Sequence, residues 1–332
     1  MSQFPFLNKA LERLGLYLRD DRVSEISINR PGEVFIERMG AAAMERVADE
    51  RLTAEWIQTL CERVAGSTNQ VVNEERPILS ASLPTGERFQ CILPPAAPDG
   101  GTISIRKQVI HDIGLDVYRE HGAFDTTKAG RQLSLSPAEQ QLAKMMDGEV
   151  DAMQFLRTAV IARVSIAVSG GTSTGKTTFL NALLKEIPPD ERIITIEDTR
   201  ELKPTTDNTV ALIASKGDQG RAKVTAQHLL EAALRMRPDR LLLGELRGAE
   251  AFAFLQAINT GHPGSLTTVH ANSARSAYER LALMVMQSGV ALGKQEIIDY
   301  LKDVIPIVVQ LARGPTGRRI VSEIVFTKGG SI

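Results

Sequence analysis

Residues 164–177 read Val164-Ser-Ile-Ala-Val168-Ser-Gly170-Gly171-Thr172-Ser173-Thr174-Gly175-Lys176-Thr177. A short β-rich run feeds a turn with the spacing G-x-x-x-x-G-K-[ST], and 177–184 reads as a helix. The spacing has a chemical logic. Glycines let backbone N–H groups turn inward around an anion, and the following helix offers the positive end of its dipole to the same point. The lysine of such a loop reaches the β- and γ-phosphates, and the hydroxyl after it ligates Mg²⁺. Gly170, Gly171, Thr172, Ser173, Thr174, Gly175, Lys176, Thr177 and Thr178 are therefore the expected ATP-binding residues. Lys176 is the phosphate lysine and Thr177 a Mg²⁺ ligand.

Outward from this loop, helical and β-rich stretches alternate. Strands are expected over 164–168, 192–196, 241–243 and 265–269, and helices over 175–187, 225–236 and 248–259. That alternation implies a mainly parallel, doubly wound α/β sheet. Residues 305–326 add two strands, expected antiparallel at an edge. Ligands of open α/β sheets sit at the carboxyl ends of the strands. The residues just after each strand are therefore informative: Glu197-Asp198, Gly244-Glu245 and His270. Two acids and an imidazole suit hydrolysis, which needs a partner for the Mg²⁺ shell, a group to orient or deprotonate water, and a sensor of the γ-phosphate. Each has a structural alternative. Glu197 could cap a helix or pair with an arginine, Glu245 could pair with Arg247 or Arg240, and His270 could bond a backbone carbonyl. His262, in a Gly-His-Pro-Gly turn, is a weaker candidate. The acid after the strand at 241–243 is commonly an aspartate on the metal, but that position is Gly244. Glu245, one residue later, is expected to hold Mg²⁺ through a water or to position the attacking water. The residues do not say whether Glu197 or Glu245 is the base.

Upstream, residues 1–107 read as a smaller mixed α/β unit. Leu7, Leu11, Leu14 and Leu18 mark an opening helix, and strands are expected at 23–29 and 34–37. A helix follows at 53–65, then a hairpin at 78–83 and 88–93, and a last strand at 101–106. Residues 108–149 read as a polar linker with a helix near 137–147. Ser136, Pro137 and Glu139 there form a capping-box start. The remainder, 150–332, is the phosphate-loop unit.

Hydrophobic residues make up 43% of the 332-residue chain and charged ones 24%, with a formal net charge of −1. That balance and 5% aromatics give no signature of nucleic-acid binding. The two cysteines, Cys61 and Cys91, lack metal-ligand spacing and read as buried thiols of a reducing compartment. No signal-peptide pattern opens the chain, and no apolar run approaches the roughly 18 residues of a membrane span. A cytoplasmic protein is expected, with peripheral membrane attachment left open.

Four motifs together resemble a known family. They are the loop 170–177, the acidic stretch Ile196-Glu-Asp-Thr-Arg-Glu-Leu202, the stretch Leu242-Leu-Gly-Glu-Leu-Arg-Gly-Ala-Glu-Ala251, and Thr260-Gly-His-Pro-Gly-Ser-Leu-Thr-Thr-Val-His-Ala271. Their order and spacing are similar to those of the traffic ATPases of bacterial secretion, pilus and conjugation machines, most closely the VirB-eleven type of type IV secretion systems. The resemblance covers about 150–313 by motif. It implies a C-terminal RecA-like motor domain, a smaller N-terminal α/β domain and a nucleotide between the two. It also implies a homo-hexamer working with other secretion-machine components at the cytoplasmic face of the inner membrane. Pilus-retraction and type II secretion motors, and DNA-translocating RecA-like ATPases, are the alternative readings. Phosphoryl transfer commonly recruits an arginine. Arg106, where the N-terminal unit meets the linker, is the leading candidate, with Arg235, Arg237 and Arg240 behind it.

Overall fold

The computed structural model describes residues 4–108, 114–127, 135–148, 151–215 and 220–329. Two sheets organise it. The first is entirely antiparallel. Its strands are β1 (Val23–Ile28), β2 (Gly32–Arg38), β3 (Glu45–Asp49), β4 (Ile78–Ser82), β5 (Arg88–Ile92) and β6 (Thr102–Arg106), in the order β3-β2-β1-β6-β5-β4. Helices α1 (Pro5–Leu11) and α2 (Gly15–Leu18), joined by a 3₁₀ turn, and the longer α3 (Ala54–Ser67) cover it. The expected opening helix is thus interrupted by the 3₁₀ turn Glu12–Leu14. Thr53 caps α3 by accepting the Trp56 N–H. Leu60, Cys61 and Val64 of α3 pack against Phe89, Cys91 and Ile103 of the sheet. Both cysteines are free and buried, and burial, with hydrogen bonding to Cys91, pushes the Cys61 thiol well up.

Within 108–149 the structure describes two helices, α4 (Leu115–Glu120) and α5 (Pro137–Met146). Only the second was expected. Its capping box is formed: Glu139 N–H donates to Ser136 Oγ at 3.2 Å, and Ser136 N–H to Glu139 Oε2 at 2.8 Å. Leu142 of α5 is fully buried with Phe155 and Val160, in the core beneath the second sheet. The end of the expected linker therefore belongs to that core. The rest of the expected linker, 109–113, 128–134 and 149, lies outside the described residues.

Seven strands form the second sheet: β7 (Ile166–Gly170), β8 (Ile193–Glu197), β9 (Thr209–Ile213), β10 (Arg240–Leu243), β11 (Leu266–Val269), β12 (Ile307–Arg313) and β13 (Arg319–Phe326). Their order is β13-β12-β7-β11-β10-β8-β9. Helices α6 (Ala152–Ile161), α7 (Lys176–Leu184), α8 (Ala226–Ala233), α9 (Glu250–Asn259), α10 (Ala274–Met286) and α11 (Lys294–Val304) flank it. Each face is sealed by its own apolar core, one built around Phe254 and Leu281, the other around Phe155 and Leu180. Burial on both faces explains why β10 reads as an unbroken Leu-Leu-Leu run. The strand pairing corrects one expectation. β12 and β13 pair antiparallel with each other, but β12 also pairs parallel with β7. It is an inner strand, as its largely apolar, buried run requires, and only β13 is an antiparallel edge.

The two sheets share buried contacts. Ile92, Ala96 and Ala97 join the core of the second sheet, and Ile213 N–H donates to Ala96 O at 2.8 Å. Arg192, wholly buried just before β8, donates to Met236 O (2.9 Å), Asn29 Oδ1 (2.6 Å) and Asn208 Oδ1 (2.7 Å). Asn29 in turn donates to Asn208 at 2.9 Å. Burial lowers the Arg192 guanidinium to about 10. Among the described residues no helix is long and apolar enough to cross a membrane.

Candidate active site

β7 ends on Gly170 and α7 begins on Lys176, so the glycine-rich turn spans the carboxyl end of the sheet. Thr174 Oγ1 donates to Gly171 O at 2.9 Å and closes the loop on itself. Gly175 has φ +91°, a left-handed conformation that costs glycine little. Space matters there too: a Cβ would lie 2.8 Å from Arg319 Cδ. Lys176 Nζ donates to Gly170 O at 3.1 Å and Gly171 O at 3.2 Å. Desolvation lowers the proton affinity of this buried ammonium.

The parallel register brings three more side chains to the same rim. Glu197 ends β8, and its Oε1 accepts the N–H groups of Glu201 (2.8 Å) and Leu202 (2.9 Å). Its Oε2 is buried and has no hydrogen-bond partner. Burial raises the carboxyl's pKa against the pull of those two N–H donors. The neighbouring Gly244 makes room, since a Cβ there would press on Glu197 Cγ at 3.1 Å. Glu245 follows β10 and is gripped by Arg247 Nη2 at 2.7 Å, while Arg247 Nη1 holds Asp198 at 2.5 Å. His270 follows β11, with Nε2 3.2 Å from Glu245 Oε1 and its ring 3.3 Å from Lys176 Nζ. Burial, ahead of the opposing pull of Glu245, lowers its pKa and favours the neutral imidazole.

A single cavity of about 530 Å³ is lined by Thr172, Ser173, Gly175, Lys176, Thr177 and Thr178, together with Glu197, Glu245 and His270. The structure thus brings the expected loop, both acids and the imidazole together. Structural bonds coexist with that position: Glu197 does cap a turn, and Glu245 does pair with Arg247, though not with Arg240.

The arginine expectations fare differently. Arg106 lies outside this cavity. Its Nε is 3.3 Å from Glu25, and it faces a separate groove with Arg88 and Arg235. Within this chain it therefore does not line the cavity of the phosphate loop. Arg240 is wholly buried in a two-pronged pair with Glu191, at 2.5 and 2.8 Å. Arg237 bridges Glu37 (2.5 Å) and Asp239 (3.1 Å), and Arg235 reaches Ser80. None of these three lines the phosphate-loop cavity. His262 bonds Pro238 O at 2.9 Å and does not line that cavity.

Two cavity arginines carry no clear signal in the sequence. Arg247 is visible there only as a neighbour of Glu245. Arg319 comes from the far strand β13, where no motif marks it.

The donor set suits magnesium. Thr177 and the carboxylates of Glu197 and Glu245 offer only oxygen, the ligand that a hard cation prefers, and Glu197 Oε2 is a buried acceptor without a donor. Among the described residues no cluster of His, Cys, Asp or Glu forms a protein-only cage.

A seven-stranded sheet with a phosphate loop at its carboxyl rim, backed by two strand-end glutamates, defines a RecA-like P-loop ATPase. The model of the family described as "Type II/IV secretion system protein" matches residues 12–319. The type IV secretion system protein VirB11 of Bartonella henselae is 39% identical, covering 95% of this chain and 91% of the relative. VirB11 of Brucella suis is 42% identical over 95% of this chain and 88% of the relative. The crystal structure of the VirB11 ATPase from the Brucella suis type IV secretion system, in complex with sulphate, superposes with a TM-score of 0.89. It is 40% identical and is matched over 96% of this chain and 97% of that one. The chain belongs to the type II/IV secretion system protein family.

Proposed function

We propose that this chain hydrolyses Mg²⁺-bound ATP to power a bacterial type IV secretion or conjugation machine. The working form is a homo-hexamer at the cytoplasmic face of the inner membrane, in contact with other machine components. The observation that carries the catalytic reading is the single cavity that joins Lys176 and the phosphate loop to Glu197, Glu245 and His270. Relatives about 40% identical over nearly the whole chain, which carry the VirB11 name, support the assignment to a secretion machine.

Each side chain then takes a role. Backbone N–H groups of 171–178 and the α7 dipole cradle the phosphates. Lys176, freed from the Gly170 and Gly171 carbonyls, moves to the β- and γ-oxygens. Magnesium, held by Thr177 and through water by Glu245, would neutralise charge developing on those oxygens. Glu245, oriented by its pair with Arg247, suits that metal shell. Glu197 is the better base. Burial has already raised its proton affinity, and one oxygen is unclaimed by the protein. Neutral His270, touching both Lys176 and Glu245, senses the γ-phosphate. An arginine from a neighbouring subunit, Arg106 foremost, completes the site in the ring.

The test is ATPase turnover with ATP affinity measured alongside. Lys176→Ala should abolish turnover in a folded protein. Glu197→Gln should lower kcat by about 10²- to 10⁴-fold with little change in ATP affinity. Specific activity should rise with protein concentration as the ring assembles. Wild-type turnover in Lys176→Ala would defeat the phosphate-loop reading. Constant specific activity from a proven monomer would remove the ring.

A further inference from the structure

Arg319 belongs to the β12–β13 hairpin and lies outside every motif named above, yet it lies along the phosphate loop. Its Cδ, Nε and Nη1 would sit 2.8, 3.3 and 3.4 Å from a Cβ placed on Gly175, and it lines the same cavity as Lys176. Among the described residues its guanidinium has no ion pair and no hydrogen bond. The hairpin register sets Arg313 directly opposite Arg319. Like charges in that position repel. Arg313 Nη2 donates to Ser173 O at 3.3 Å, so the hairpin delivers both arginines to the loop. An anion in the cavity would relieve the repulsion and give Arg319 a partner.

Sheet order says which end of a nucleotide that anion is. Glu245 and His270 follow β10 and β11, on one side of β7, and His270 meets Lys176 there. Arg319 comes from β13, beyond β12, on the other side. A triphosphate with its γ-phosphate at Lys176, His270 and Glu245 runs its α-phosphate toward Arg319. We propose that Arg319 grips the α-phosphate of the bound nucleotide, so that the C-terminal hairpin forms one wall of the nucleotide site. This rests on the nucleotide-binding reading above.

Full-length protein with Arg319→Ala or Arg319→Lys, titrated calorimetrically with MgADP and with MgATP, tests it. Removing one charge-assisted hydrogen bond should weaken binding by about 10- to 100-fold. The same factor is expected for both nucleotides, because both carry an α-phosphate. Arg319→Lys should recover most of the loss, since a point charge still meets a phosphate oxygen. Wild-type ADP affinity in Arg319→Ala would overturn the proposal. A loss confined to ATP would also overturn it, by placing the arginine at the γ-phosphate. Failure of the unmodified protein to bind ADP at all would instead sink the nucleotide reading, and this inference with it.

Discussion

Glu25, in β1, is almost wholly buried, and neither of its oxygens has a hydrogen-bond partner. Desolvation outweighs the nearby Arg106 and Arg192 and lifts its carboxyl to about 7. A raised acid binds more protons folded than unfolded, so between about pH 4.5 and 7 it makes stability fall as pH rises. Glu25→Gln should therefore raise the melting temperature at pH 8 and change it little at pH 5. The difference is on the order of 2–3 kcal/mol. Equal effects at both pH values in thermal melts would show that Glu25 is not held near neutral pH. Nothing in the sequence announced this residue, because the arginines beside it, Arg106, Arg192 and Arg237, stand far along the chain. Lys176, Glu197, Glu245 and His270 were legible for the opposite reason. Each directly follows or ends a parallel strand or opens the helix after one, so adjacency in sequence became adjacency on the rim. Arg106 is a different case, because its place at the end of a strand fixes a side chain's height along the sheet and not the direction it faces, and within one chain it lies outside the cavity.

Local chemistry also served well for single elements. Ser136, Pro137 and Glu139 announced α5 within a stretch otherwise empty of signals, and both bonds of its capping box are present. Ser136→Ala should cost about 1 kcal/mol in urea unfolding, the usual worth of such a cap. An unchanged midpoint would mean that Leu142 packing alone fixes the helix. Other elements escaped notice through shortness or position, although Ser273 caps α10 and Glu296 accepts the N-cap N–H of α11. β9 is a five-residue edge strand, and α10 and α11 follow the last recognisable motif. The misplacement of β12 has a different origin. Its apolar run fits an edge hairpin or an inner strand equally well, and only pairing with β7 separates the two. That pairing is what carries Arg313 and Arg319 to the phosphate loop.

At the scale of the molecule, the antiparallel and mostly parallel sheets meet through a buried polar knot of Arg192, Asn29 and Asn208. Taking Arg192 away would leave two amides buried with fewer partners, the costly direction of such a change. Arg192→Ala should destabilise the protein by roughly 3 kcal/mol or more and hasten proteolysis between the sheets. Thermal melts matching the wild type would show that apolar contacts around Ala96 suffice.

The same knot decides what the covalent connection is for. Ile92, Ala96 and Ala97 share a core with the second sheet, and Arg192 stitches across it, so the halves grip each other without help from the backbone between them. A protease site engineered into the exposed turn at 121–127 would then sever the chain without parting it. The two fragments should travel as one species through gel filtration and separate only in denaturant. Fragments carrying Arg192→Ala should come apart in buffer. Joining the pieces is thus a task of folded surfaces, which leaves the connecting segment free to vary in length and path without loosening the subunit.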